Sequence, residues 1–309
     1  MTARAVAGAA RIASSVVTME APDGHRFELL ASIPDQAQRS LLWLPALGVA
    51  ARHYLPLAWA LARHGVAVYV HEWRGHGSSS LRAGRRVDWG YRELLSLDIP
   101  ASEDAIAAAL PGLPRIVGGH SLGGQLSACR LALAPATYTA LWLAGCGAPY
   151  WRAFPLPQRL WLPLAYRALP WLADRAGSLP GRRLGFGGNE ARGLMRDWAA
   201  TATSGRYAAR GLGDLEPAMA AVRVDIRAAL FARDWLAPAS SLDCLLSKMP
   251  RSPSARAVFD DDTLGVASDH FAWMKSPDRV AGWLQQPAPG VRDAQDAPSV
   301  EGSTAPAGS

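Results

Sequence analysis

Cysteine is scarce in this sequence, with three residues in a chain of 309: Cys129, Cys146 and Cys244. Three thiols cannot build the disulfide framework of a small secreted domain, and they suit a reducing, cytoplasmic setting. Long apolar runs are also missing: no stretch of about 18 residues lacks both charge and proline, so we expect no stable membrane span. The N-terminal residues lack a continuous apolar segment, so we expect no signal peptide.

Lysine is scarcer still. Only Lys248 and Lys275 are lysines among the 32 basic residues, so the remaining 30 are arginines, and the formal net charge is +6. The arginines are scattered along the chain, mostly singly, and do not alternate with aromatic residues as in a nucleic-acid surface. We therefore interpret the charge as an arginine-rich coding bias and expect no nucleic-acid partner.

What the chain does have is ample apolar material, with 50% hydrophobic and 19% charged residues. Short apolar strands alternate with helical patterns, which predicts an α/β fold with a mostly parallel, doubly wound sheet. A hairpin precedes these strands, and Pro100 predicts a kink or break in a helix over 91–110. The predicted core strands cover 41–44, 66–70, 115–118, 140–144, 224–233 and 255–259.

The alternation stops at about residue 150 and resumes after 222. This stretch is rich in Trp and Leu and is punctuated by Pro157, Pro163 and Pro170. About seventy residues are too many for a plain connection, so we predict a helical cap over 150–222 and keep that name below. The predicted organisation is a flexible N-terminus 1–13, core 14–149, cap 150–222, core 223–286 and disordered tail 287–309.

A candidate nucleophile lies in Gly119-His120-Ser121-Leu122-Gly123, which matches the G-x-S-x-G nucleophile elbow between a strand and a helix. The glycines allow the sharp turn that exposes the serine hydroxyl, and the helix N-terminus favours a developing oxyanion.

The hydroxyl needs a base and an orienting acid, in the chain order Ser, acid, His. Six of the seven histidines precede Ser121, which leaves His270 as the base. Asp234, at the end of the strand 224–233, is the preferred acid, and the run Asp260-Asp261-Asp262, otherwise a solvated turn, is the alternative. The cap carboxylates lie too early in the chain for this role: Asp174, Glu190, Asp197 and Asp214.

The oxyanion hole is expected to combine the backbone N–H of Leu122 with one from the loop after the first core strand. Leu47 is the candidate there, since Pro45 has no N–H. His71 and His76 lie in a neighbouring loop, but without further ligands beside them we expect no metal site and no cofactor.

Together these segments resemble the serine α/β-hydrolases of the serine-aminopeptidase-like and monoglyceride-lipase-like type, in particular a bacterial branch. The resemblance implies the α/β-hydrolase fold, a Ser121–Asp234–His270 triad, and Leu47 and Leu122 as oxyanion donors. Two departures stand out: many relatives carry His-Gly in place of Pro45-Ala46, and Asp in place of Glu72. The segments that carry the resemblance are 45–49 with Tyr54, 72–78, 119–124, 234–238 and 269–271.

The expected function is hydrolysis of a small carboxylic ester, with a lipophilic acyl or aryl group, through an acyl-enzyme. A thioesterase or a serine aminopeptidase could use the same three residues, the latter with Glu190, Asp197 or Glu216 holding the substrate amine. A non-catalytic ligand-binding protein on this fold is a further alternative. A dehalogenase or epoxide hydrolase would need Asp where Ser121 stands. The oligomeric state is left open.

Overall fold

The computed structural model describes residues 11–286, so the predicted tail 287–309 and the first ten residues lie outside the described part. Eight strands form one central sheet in the spatial order β1-β2-β4-β3-β5-β6-β11-β12. Their bounds are β1 Ile12–Glu20, β2 Arg26–Pro34, β3 Arg39–Leu44, β4 Val66–His71, β5 Arg115–His120, β6 Ala140–Ala144, β11 Asp225–Phe231 and β12 Ser254–Phe259.

The sheet is mostly parallel, as the sequence predicts. β1 pairs with β2 and β2 with β4 in antiparallel fashion, and all the other neighbours in the sheet are parallel. β1 begins at Ile12, two residues before the expected start of the core, because Ile12 pairs with Pro34 at the far end of the hairpin.

Apolar side chains cover both faces of the sheet. In β3, Leu42 and Leu44 belong to the core on one face, whereas Leu41 and Trp43 belong to the core on the other, as the period-2 geometry of a strand requires. The α-helices outside the cap are α1 Leu55–Ala62, α2 Tyr91–Glu93, α3 Ile99–Ala109, α4 Leu122–Leu133, α9 Ala239–Leu246, α10 Asp261–Leu264 and α11 Asp278–Leu284.

The helix expected to kink or break at Pro100 is irregular one turn earlier. Residues Leu94–Asp98 form a π-helical stretch between α2 and α3, and the N–H of Ile99 bonds to the carbonyl of Leu94. Pro100 lies in the first turn of α3, directly after this stretch, and cannot donate to the carbonyl of Leu95. That carbonyl accepts a hydrogen bond from Arg130 Nη1 at 3.2 Å instead.

The cap contains four α-helices, a short 3-10 helix over Trp151–Ala153 and two short strand pairs. Helix α5 passes through Pro163 and Pro170 without ending, although the sequence suggested that prolines divide this region. It packs against α7, where the rings of Tyr166 and Trp198 meet edge-on at 5.1 Å. None of the helices in residues 11–286 has the length and apolar character to cross a membrane. The cap elements are α5 Leu156–Ala176, β7 Leu179–Pro180, α6 Gly181–Leu184, β8 Asn189–Glu190, α7 Arg192–Ser204, β9 Ala208–Ala209, β10 Gly213–Asp214 and α8 Glu216–Ala221.

A buried ion-pair network ties the N-terminal hairpin to the loop after β4 and to the helix before α3. Arg74 donates through Nε and Nη2 to both oxygens of Asp98, at 2.6 and 2.8 Å, and through Nη1 to Asp23 at 2.7 Å. His25 Nδ1 lies 3.1 Å from the same Asp98 carboxylate. The hydrogen bonds from Arg74 lower the pKa of Asp23. The network therefore depends on one guanidinium.

We expect Arg74→Met to lower the free energy of unfolding by about 3–5 kcal/mol, because it leaves the Asp98 carboxylate buried without a cation. Urea unfolding followed by circular dichroism measures this change. Arg63→Met is the matched control: Arg63 pairs with Asp278 in solvent, so its loss should change stability by less than about 1 kcal/mol. Equal effects of the two substitutions would contradict the prediction.

Candidate active site

Ser121 lies in the sharp turn between β5 and α4. Its φ of 54° is the only positive φ of a non-glycine residue between residues 11 and 286. The turn brings backbones very close, because a Cβ at Gly119 would lie 2.4 Å from the Gly123 carbonyl carbon and one at Gly123 would lie 2.0 Å from the Leu44 oxygen. The strained backbone at this serine is typical of a functional position.

His270 and Asp234 meet beside this turn. His270 Nδ1 lies 2.7 Å from Asp234 Oδ2, and both side chains are buried. Asp234 Oδ1 accepts the backbone N–H groups of Leu236 and Ala237 at 2.9 and 3.0 Å, which fixes the orientation of the carboxylate. The free oxygen therefore faces the imidazole.

The alternative acids have other partners. Asp260 caps α10, so the run that was expected to be a solvated turn begins a helix instead. Asp261 accepts bonds from the hydroxyl and N–H of Ser268, at 2.6 and 2.7 Å, and pairs with Arg233. The Ser268 hydrogen bond is the main reason that the pKa of Asp261 is lowered to about 2.

The loop after β3 presents a free backbone donor, that of Leu47, to the cavity. The N–H of Ala46 is bound by the Tyr54 hydroxyl at 2.9 Å. The N–H groups of Leu47 and Leu122 have no acceptor among residues 11–286. Both residues line the cavity that also contains Ser121 and His270. Two free N–H groups at one cavity wall can stabilise an oxyanion.

His120, in the elbow motif, contacts Tyr54 and His270 beside the site. Its Nδ1 lies 2.8 Å from the Tyr54 hydroxyl, which accepts from Ala46 and so has its own proton to donate. Burial lowers the pKa of His120 well below its usual value, with the nearby His270 as a smaller cause. The His120 ring lies 4.6 Å from the His270 ring, and because it is neutral it places no positive charge beside that ring.

A cavity of about 530 Å³ lies between this site and the cap. Ser121 and His270 line its floor, and no Asp, Glu, Lys or Arg of the described residues lines it. Most of its wall is apolar, which suits a lipophilic group. The main apolar contributions are Leu47, Phe154, Trp161, Leu162, Leu169, Leu172, Leu184, Phe186, Trp198, Trp235 and Phe271.

Sequence reasoning missed several of these positions. Tyr54 belonged to the resembling segments, but nothing in its spacing indicated a bond to His120. Leu184, Phe186 and Trp198 reach the cavity from a later part of the cap than residues 150–172, where Trp and Leu are most frequent. The apolar residues of α7 lie three or four positions apart, and this helical spacing would have placed Trp198 on the buried face of α7.

His71 ends β4 and does not lie in the loop where the sequence analysis placed it, whereas His76 lies in the loop after β4. The two histidines have different partners. His71 bonds Ser102 at 3.0 Å, and burial lowers its pKa to about 4. His76 lies 3.4 Å from Glu190 of the cap. Within residues 11–286, no three His, Cys, Asp or Glu side chains gather as a metal site would require.

Comparisons with known proteins agree with this architecture. The sequence profile of a family described as "Serine aminopeptidase, S33" matches residues 35–197, which is more than half of the chain. A search by sequence among curated proteins found no match.

Solved structures show the same fold at low identity. A thermophilic esterase from Thermogutta terrifontis is 15% identical over 87% of this chain and 96% of its own, with a TM-score of 0.57. A thioesterase domain from the curacin biosynthetic pathway is 14% identical over 89% and 100%, with a TM-score of 0.56. A hydrolase from Pseudomonas aeruginosa PA01 is 18% identical over 87% and 97%, with a TM-score of 0.54. The chain is a hydrolase of the α/β-hydrolase fold and belongs to the serine aminopeptidase S33 family.

Proposed function

We propose that this protein hydrolyses carboxylic esters with a lipophilic acyl or aryl group through an acyl-enzyme on Ser121. His270 acts as the general base, and Asp234 holds its imidazole in the tautomer that carries the proton on Nδ1. The observation that carries the proposal is the cavity itself, in which a strained serine and a carboxylate-bound histidine face an uncharged, apolar wall.

In the first half-reaction Ser121 Oγ attacks the ester carbonyl carbon while His270 Nε2 takes the hydroxyl proton. The N–H groups of Leu47 and Leu122 receive the negative charge that develops on the carbonyl oxygen. The C–O bond to the leaving group then breaks, and His270 returns the proton to the leaving alkoxide. Water, deprotonated by His270, releases the acid and restores Ser121 in the second half-reaction.

An aminopeptidase reaction has less support in this chain. It would need a carboxylate at the cavity to hold the substrate amine, and each of the three candidates has another partner. Glu190 accepts the Gly188 N–H and faces His76, and Asp197 accepts the Tyr91 N–H. Glu216 pairs with Lys248.

We expect kcat/KM for p-nitrophenyl esters to rise at least about tenfold from acetate to octanoate, since each buried methylene contributes about 0.8 kcal/mol. Amino-acid p-nitroanilides and matched thioesters complete the substrate panel. A preference for the anilides would refute ester hydrolysis, and a preference for thioesters would move the assignment to a thioesterase. A flat response to acyl length would refute the lipophilic pocket.

A pair of variants on α5 links this preference to the cavity. Leu169 lines the cavity, whereas Leu164 points to solvent from the same helix. Leu169→Trp should lower activity on octanoate much more than on acetate, while Leu164→Trp should leave the ratio of the two unchanged. If both variants change the ratio equally, the cavity is not the acyl pocket.

A further inference from the structure

The net charge of the chain is concentrated in one part of the cap. Between residues 151 and 188 there are six arginines and a single acid, Asp174, so this segment carries +5 of the total +6. The sole acid is already paired with Arg196 of α7. The positive charge of this segment therefore arises both from its arginines and from its having only one acidic residue. The six arginines are Arg152, Arg159, Arg167, Arg175, Arg182 and Arg183.

Helix α5 in this segment presents large apolar side chains to solvent. The exposed fractions are 70% for Leu156, 79% for Leu160, 71% for Leu164 and 55% for Trp171. At 100° per residue these four positions fall within about 80° of one another around the helix, so they form one row. We call this row the outer stripe.

Arginines border the outer stripe. Arg167 falls within the same sector of α5, and the guanidinium of Arg175 lies 5.1 Å from the centre of the Trp171 ring. A helix with Leu and Trp on one side and arginine around them is typical of segments that lie in a lipid interface.

The outer stripe is also close to the cavity. The buried Leu162 and the half-exposed Trp161, on the flank of α5, line the cavity. The Trp161 ring lies 6.0 Å from the ring of Trp235, which is also half-exposed and lines the same cavity. A surface that covers the outer stripe would therefore lie against the helix that walls the cavity.

We propose that the outer stripe docks on an anionic lipid surface, with Leu156, Leu160, Leu164 and Trp171 in the interface and the surrounding arginines on the lipid phosphates. Positive charge distinguishes this occupant from a second copy of the chain, because dimerisation through the stripe would bring two segments of +5 together. An anionic surface attracts that charge, while the apolar side chains leave water.

The test is flotation of the purified full-length protein with vesicles of phosphatidylcholine, alone or mixed equally with phosphatidylglycerol. We expect binding to the mixed vesicles, weakening as salt is raised, and at least about tenfold weaker binding to phosphatidylcholine alone. Ser121→Ala should bind as the native protein does, so this result does not depend on the proposed esterase activity.

Two double variants separate the apolar and the charged parts. Leu160→Asp with Leu164→Asp should weaken binding about a hundredfold, and Arg167→Gln with Arg175→Gln about twentyfold. Val258→Asp is the matched control, because Val258 of β12 is also largely exposed and lies outside the cap, and it should leave binding unchanged. Circular dichroism establishes that each variant is folded.

Three outcomes would overturn the proposal. One is absence of binding to either vesicle, and another is equal binding to both. The third is a concentration-dependent dimer, seen by light scattering and abolished by the double aspartate variant, in a protein that ignores vesicles. That outcome would assign the outer stripe to a second copy of the chain.

Discussion

Ser121→Ala is expected to reduce kcat on p-nitrophenyl esters by about 10⁴- to 10⁶-fold, because no other hydroxyl can replace the nucleophile at the elbow. KM should change little, since the cavity walls remain. A fluorophosphonate probe should label the native protein and leave the variant unlabelled. Mass spectrometry of the labelled peptide would locate the adduct at Ser121.

Ser127→Ala is the matched control for this substitution. Ser127 lies farther along α4, is buried, and donates its hydroxyl to the Gly123 carbonyl at 2.8 Å. It belongs to the helix that begins directly after the candidate nucleophile and does not line the cavity. Its activity should stay within a few-fold of the native value. Full ester turnover by the purified Ser121→Ala protein would refute the assignment of the nucleophile.

Asp234→Asn should lower kcat by about 10⁴-fold with little loss of stability. The N–H groups of Leu236 and Ala237 keep an oxygen at the Oδ1 position, so the amide nitrogen of the new side chain must face His270 Nδ1. Two donors cannot face each other, and the imidazole turns to the tautomer that carries its proton on Nε2. That tautomer cannot accept the Ser121 proton.

Substitutions of the aspartates after β12 serve as controls for Asp234→Asn. Asp262→Asn changes an exposed carboxylate and should leave kcat unchanged. Asp261→Asn weakens the hydrogen bonds from Ser268 but leaves Asp234 unchanged. Its effect on kcat should therefore be far smaller than that of Asp234→Asn. A large loss with Asp261→Asn and near-native activity with Asp234→Asn would identify Asp261 as the acid.

Much of the core could be predicted because strands and helices each repeat their apolar residues at a characteristic spacing along the sequence. β6 begins and ends at the predicted residues, and β3, β4 and β5 differ from their predicted bounds by one or two residues. Helix boundaries near proline were harder. The π-helical turn before Pro100 and the uninterrupted α5 both depend on tertiary packing, which outweighs local propensity.

The candidate site followed from two kinds of sequence evidence. Glycines are required on both sides of Ser121, because a Cβ at Gly119 or Gly123 would lie only 2.0–2.4 Å from a backbone atom, so the motif reflects a steric need. The chain order Ser, acid, His left His270 as the one candidate for the base. Its position at a strand end favoured Asp234 over the run 260–262, but the sequence cannot show which carboxylate is oriented toward His270 by neighbouring N–H groups.

By itself, the sequence determined the sheet, the elbow and the abundance of Trp and Leu in the cap, since each of these follows from residue types at short spacing. Only the tertiary structure decided which of those cap residues face the cavity and which face solvent. Leu162 and Leu169 face inward, whereas Leu160 and Leu164 of the same helix face outward. The interior prolines of α5 obscured its helical period, and the direction of a side chain depends on what the helix packs against.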